Sequence, residues 1–83
     1  MIKLTEASKA LFIELAKDAD NWGSMVPTDC NVIVTSSQRG NLTQLKRQGL
    51  ITTRVDEGTW VLFTEAGVAY AAELGIEYVE ATA

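Results

Sequence analysis

The chain has 83 residues, with 7 basic and 11 acidic side chains, a net charge of −4, one cysteine and no histidine. Hydrophobic residues at 47% and charged residues at 22% fit a single globular domain over residues 1–83 and argue against a disordered chain. A domain of this size buries only about 60% of the surface its unfolded chain exposes, so it is marginal alone and a dimer would help it. Without histidine the commonest general base and metal ligand is missing. Cys30 alone can neither form an intrachain disulfide nor build a zinc site. No catalytic residue, metal or cofactor is therefore expected. Glu73 and Glu77 read as a solvated helix face, and Gly40 and Gly49 are isolated rather than parts of a phosphate loop. No apolar run of about 18 residues exists, so no membrane span is expected. The stretch Met1–Glu6 lacks the features of a signal peptide, and cytoplasmic residence is the expectation.

Thr5 can cap a first helix, with Glu6 in its first turn. Ala7, Leu11, Phe12, Leu15, Ala16 and Ala19 recur at helical spacing, opposite Lys9, Glu14, Lys17 and Asp18. Ala10 and Ile13 form a smaller apolar strip that either widens the buried face or meets a second copy. The helix should end near Ala19–Asn21, with a turn at Trp22-Gly23. Val26 precedes Pro27, which disfavours α geometry, so Ser24-Met25-Val26 reads as a short extended piece. Thr28 then caps an expected short helix through Val34, although Val32-Ile33-Val34 is β-branched throughout and fits a strand as well.

Residues 36–48 read as a third helix, stopped by Gly49. On a helical wheel Gln38, Leu42 and Leu45 face inward, whereas Ser36, Gly40, Thr43, Gln44 and Arg47 face outward. Arg39 and Lys46 flank the inner stripe, and Ser37 and Asn41 border the opposite edge. Gly40 within a helix costs about 1 kcal/mol relative to Ala. Either its bare backbone lets another backbone approach, or the helix begins later with Asn41 as its cap. Leu50–Val55 and Trp60–Phe63 are strands joined by the turn Asp56-Glu57-Gly58-Thr59. Thr64 caps a last helix, Glu65–Leu74, ended by Gly75, with Ala66, Ala69, Ala71 and Ala72 letting it lie close to a neighbour. Residues 76–83 carry no strong pattern; Ile76, Tyr78 and Val79 could pack, or the segment could be a loosely ordered tail.

Charge is distributed unevenly along the chain. From Cys30 to Val55 stand Arg39, Lys46, Arg47 and Arg54 with no acid, while the remainder holds three lysines against all 11 acids. A chain that is acidic overall can therefore present one positive face.

Two segments carry a resemblance. The run Leu42-Thr43-Gln44-Leu45-Lys46-Arg47-Gln48-Gly49-Leu50-Ile51 follows the pattern L-x-x-L-x-x-x-G-L-I, and Leu62-Phe63-Thr64-Glu65-Ala66-Gly67 follows L-x-T-x-x-G. Together they resemble the MarR-like and related winged helix-turn-helix transcriptional regulators of bacteria and phages, over about residues 34–75. The resemblance implies an α+β winged helix-turn-helix: three helices, a β-hairpin wing and a C-terminal helix. It also implies a sequence-specific regulator that places the helix 36–48 in the major groove of double-stranded DNA. Ser36, Ser37, Gln38, Gly40, Asn41, Thr43, Gln44 and Arg47 would then read or position, while Arg39, Lys46, Arg54 and Thr59 would meet the backbone. A homodimer through the first helix and the C-terminal helix is expected with it. The acidic wing tip Asp56-Glu57 departs from the family pattern and keeps a second expectation open: a winged-helix adaptor that binds protein and not DNA.

Overall fold

The computed structural model describes residues 2–83. Its elements run α1 (Glu6–Trp22), β1 (Met25–Pro27), a 3-10 turn (Ser36–Gln38), α2 (Arg39–Arg47), β2 (Ile51–Val55), β3 (Thr59–Phe63) and α3 (Glu65–Glu73). The result is a small α+β domain with three α-helices and a three-stranded antiparallel sheet ordered β1-β3-β2. Among the described residues no helix is long and apolar enough to cross a membrane.

Local chemistry sets most boundaries. The Thr5 hydroxyl accepts the Ser8 N–H at the start of α1, and Gly23 ends the helix at φ 62, donating its N–H to the Ala19 carbonyl. Pro27 sits on edge strand β1, where its missing N–H interrupts no central ladder. The central strand β3, Thr59–Phe63, is the most apolar of the three and takes both partners, Val26↔Val61 on one side and Thr53↔Val61 on the other. The core is built on Phe12, whose ring meets Phe63 edge-on at 6.0 Å and Tyr70 at 5.1 Å. Leu11, Leu15, Val26, Leu45, Leu50 and Val61 close around these rings.

Three residues of the first helix depart from the wheel. Ala7 is exposed and Ser8 is buried, because the Ser8 hydroxyl donates to Asn41 Oδ1 at 3.2 Å and accepts from Thr5. Asp18, expected on the solvated side, is only 6% exposed. Its carboxylate accepts from Asn21 Nδ2 at 2.8 Å, Trp22 Nε1 at 2.9 Å and Asn31 Nδ2 at 2.9 Å.

The expected helix over Thr28–Val34 does not form. The segment is a loop closed by a bridge between Asp29 and Ile33, with the Val34 N–H donated to the Thr28 carbonyl at 2.9 Å. The physical reason lies in its partners. The Thr28 N–H donates across to the Thr59 carbonyl at 3.1 Å, which anchors Thr28 to the sheet, and Asn31 reaches Asp18. The β-branched Val32 and Ile33 then split, Val32 into the core and Ile33 out to 63% exposure. The helix expected over 36–48 is a 3-10 turn followed by nine α-helical residues, Arg39–Arg47, so Gly40 lies inside the helix rather than in a preceding turn.

The segment 76–83 has definite partners. Ile76 and Val79 are buried, and Thr82 donates its N–H to the Phe63 carbonyl and accepts the Phe63 N–H on its hydroxyl. Its hydroxyl also donates to the Ser24 carbonyl, and the Glu80 N–H donates to the Ser24 hydroxyl.

The two sequence patterns around Gly49 and Thr64 meet in one joint. The Thr64 hydroxyl donates to the Gly49 carbonyl and accepts the Gly67 N–H, and the Thr64 N–H donates to the Leu50 carbonyl at 3.2 Å. A Cβ at Gly67 would lie 2.0 Å from that same Leu50 oxygen. Alanine is the better helix former by about 1 kcal/mol, yet the overlap is with backbone and outweighs it. Gly67→Ala should therefore lower stability by at least about 2 kcal/mol in urea unfolding; a neutral or stabilising result would contradict this packing.

Asp18 gives a second test. Burial pushes its carboxyl up, but the donors Asn21, Asn31 and Trp22 together outweigh that and hold it below its ordinary value of 3.8. A depressed acid contributes stability above its unfolded pKa, and that contribution is lost as pH falls through the folded value. Asp18→Ala should cost about 1.5–3 kcal/mol near neutral pH. The gap between variant and parent should narrow below about pH 4. Denaturation at the two pH values checks this, and an equal loss at both would refute it.

Candidate nucleic-acid interface

Helix α2 is held by its polar inner edge. Gln44 Oε1 accepts the Thr5 N–H at 3.0 Å, Asn41 Oδ1 accepts from Ser8, and Gln48 Oε1 accepts the Lys3 N–H at 3.4 Å. These bonds seat α2 against the beginning of α1, with Leu45 fully buried between. Asn41 and Gln44, expected among the residues facing a ligand, are thus half-buried and committed to α1.

The opposite side of α2 is exposed. Arg39, Gly40, Thr43, Lys46 and Arg47 lie there together, with Ser36 and Ser37 just ahead in the 3-10 turn. Gln38 turns back, its Oε1 accepting the Thr35 N–H at 3.3 Å. The only ion pair among the described residues is Arg54–Asp56, at 4.0 Å with both side chains well exposed. The three cations of α2 therefore make no ion pair among the described residues. Lys46 and Arg47 also stand in the last turn, where the helix dipole favours positive charge.

Between α2 and the hairpin runs a cleft of about 380 Å³. Arg39, Leu42, Thr43 and Lys46, one face of α2, form one wall, and Thr53, Val55 and Thr59 of the hairpin form the other. Thr28 and Val34 close it from the loop. Two cations and four threonines line this cleft, and no carboxylate does. Thr59 lines the cleft, and its carbonyl accepts both the N–H and the hydroxyl of Thr28.

Arg54 does not belong to this cleft. Strand side chains alternate between faces, so Arg54 stands on the side opposite Thr53 and Val55. It pairs across the ladder with Trp60 and lines a different groove with Trp22, Met25, Asp56 and Glu57. The basic stretch Arg39–Arg54, continuous in sequence, is split by the sheet. Strand alternation was the signal that could have separated Arg54 from Thr53. The cleft contributions of Thr28, Val34, Thr53 and Val55, and the approach of Lys3 to Gln48, needed tertiary structure.

Comparison with known protein families, with curated proteins and with solved structures returned no significant match.

Gly40 separates two roles by experiment. A Cβ there meets nothing within 4 Å, so Gly40→Ala should stabilise the fold by about 0.5 kcal/mol. If another backbone approaches α2 at this point, the same variant should bind duplex DNA several-fold less tightly. A melting curve and a binding isotherm read the two effects separately; unchanged or tighter DNA binding by the stabilised variant would remove Gly40 from the interface.

Proposed function

We propose that this chain is a cytoplasmic, sequence-specific double-stranded DNA-binding regulator that presents α2 to the major groove and grips backbone phosphate in the cleft beside it. The observation that carries this reading is the acid-free face formed by Arg39, Thr43, Lys46 and Arg47, continuous with the cleft between α2 and the hairpin. Phosphate contacts fix register and base contacts specify sequence. Arg39 and Lys46, at the cleft, suit the first task. Arg47, Thr43 and the backbone at Gly40, on the open crest of the helix, suit the second.

The layout is a pared-down version of the winged helix-turn-helix, with α2 as the reading helix and β2–β3 as the wing. The helix that would precede α2 in that architecture is replaced by the loop 28–34 and the 3-10 turn. Three cations are few for tight binding, so two copies on a two-fold site belong to the proposal. The exposed Ala10, Ala66, Ala69 and Ala72 on α1 and α3 leave room for a close helix contact.

Arg54 distinguishes this reading from one based on charge alone. Two phosphate contacts per copy, from Arg39 and Lys46, give a slope of log affinity against log salt of about −1.8. Arg39→Ala should weaken binding and reduce the magnitude of the slope by about one per copy, whereas Arg47→Ala should weaken binding chiefly to the preferred sequence. Arg54→Ala should leave affinity and slope unchanged. Selection from random duplex DNA should enrich a two-fold symmetric site with the parent and lose it with Arg47→Ala. A folded protein with no measurable duplex affinity at about 50 mM salt would reject the proposal.

A further inference from the structure

The sheet face opposite α2 carries a second groove, of about 420 Å³. Trp22 at the end of α1, Met25 on β1 and Trp60 on β3 form its walls, and Arg54, Asp56 and Glu57 form its rim. We propose that this groove docks an extended, proline-rich basic segment of a partner protein. The inference uses no residue of the α2 cleft and is independent of DNA binding.

The tryptophans decide what kind of group fits. Their rings pack edge to face, 6.2 Å apart and 78° inclined. Both indole N–H groups are already engaged: Trp22 Nε1 donates to Asp18 at 2.9 Å and Trp60 Nε1 to the Asp56 carbonyl at 3.0 Å. The groove therefore offers ring surface and a thioether but no free indole donor. A ligand that depends on hydrogen bonds to the rings gains little here, whereas a flat apolar group packs well. Proline rings on a polyproline II backbone are such groups. That backbone has no N–H at proline to leave unsatisfied and loses little entropy on binding.

Charge decides what accompanies the proline. Arg54 stands 4.0 Å from Asp56, so those two largely cancel, while Glu57 forms no ion pair among the described residues. The rim thus carries one net negative charge. Glu57 also sits at φ 52, a left-handed conformation that a tight hairpin turn ordinarily gives to Gly or Asn. The backbone alone does not call for glutamate at this position. An arginine beside a proline would meet the Glu57 carboxylate at the rim and could lie over an indole face, a favourable cation–π placement.

The test titrates the full chain with a blocked (Arg-Pro)3 peptide, following tryptophan fluorescence and the two indole N–H resonances. Saturable binding that moves both resonances is expected. The charge-reversed (Glu-Pro)3 should produce no change, and (Arg-Gly)3, equal in charge but without rings, should bind several-fold more weakly. Glu57→Lys should weaken (Arg-Pro)3 by about fivefold with an unchanged melting temperature or a small shift, since the residue is exposed at the turn. Three results would overturn the proposal. These are stationary indole resonances while other acidic residues respond, equal binding of (Arg-Gly)3, and an unaltered affinity in Glu57→Lys.

Discussion

The carbonyl oxygen of Leu50 lies where a side chain on residue 67 would have to begin. That contact places the start of α3 directly on the backbone that connects α2 to β2. Thr64 completes the joint, because one hydroxyl caps α3 through the Gly67 N–H and grips the Gly49 carbonyl. Gly49 itself turns the chain at φ 74, a conformation that costs most residues but not glycine. Three elements are therefore fixed by a handful of backbone atoms, and the angle between α2 and the hairpin follows from them. The cleft of Arg39, Lys46 and the threonines is the space that this angle leaves open. Bonds from Thr5 and Ser8 then stop α2 from rolling about its own axis, which keeps Arg39, Thr43 and Lys46 pointed into that space.

Beyond this joint, the sheet acts as a partition. Alternation along β2 sends Thr53 and Val55 toward α2 and Arg54 toward the tryptophans. The side facing α2 gathers cations and hydroxyls, while the other gathers indoles, a methionine and two carboxylates. The acidic turn Asp56-Glu57 lines the second groove, so it does not cancel the cations of the first. A chain with a net charge of −4 can in this way hold a face free of acid. The same partition explains why Val55, at 81% exposure, stands at the tip on the side of the cationic cleft.

Elements whose signals are local were legible in the sequence. Thr5 and Thr64 as caps, Gly49 and Gly75 as stops, and the turns at Gly23 and Glu57-Gly58 all act within a few residues of themselves, although the first helix runs to Trp22, past the expected end near Ala19–Asn21. Elements decided by distant partners were not. Residues 28–34 have the length and the capping threonine of a short helix, but Asn31 binds Asp18, 13 positions earlier, and Thr28 binds Thr59, 31 positions later. Tertiary bonds of this kind override a weak local preference. The candidate site was legible to the same extent. The outward set Gly40, Thr43 and Arg47 follows from helical periodicity alone. Asn41 and Gln44, expected to face a ligand, bond to Ser8 and Thr5 instead, because a wheel shows which side a residue is on but not that α1 covers its edge. Counting charges joined Arg54 to α2, and only the pleat of the strand separates them.

The acids outside the basic stretch remain to be weighed against three cations, and distance decides the balance. The molecule measures 32 × 25 × 18 Å, whereas charge interactions through solvent decay over about 8–10 Å at ordinary ionic strength. A polyanion resting on α2 would feel Arg39, Lys46 and Arg47 at contact, while acids on the far side would be screened. As salt is diluted toward about 0.01 M, the screening length grows to about 30 Å and spans the whole domain. Repulsion from the full charge of −4 then offsets part of what the contact cations gain. Attraction in this protein is short-ranged and repulsion is long-ranged. Under the proposed function, the orientation that presents α2 would therefore be favoured, and contact through any other face would be opposed most strongly at low salt.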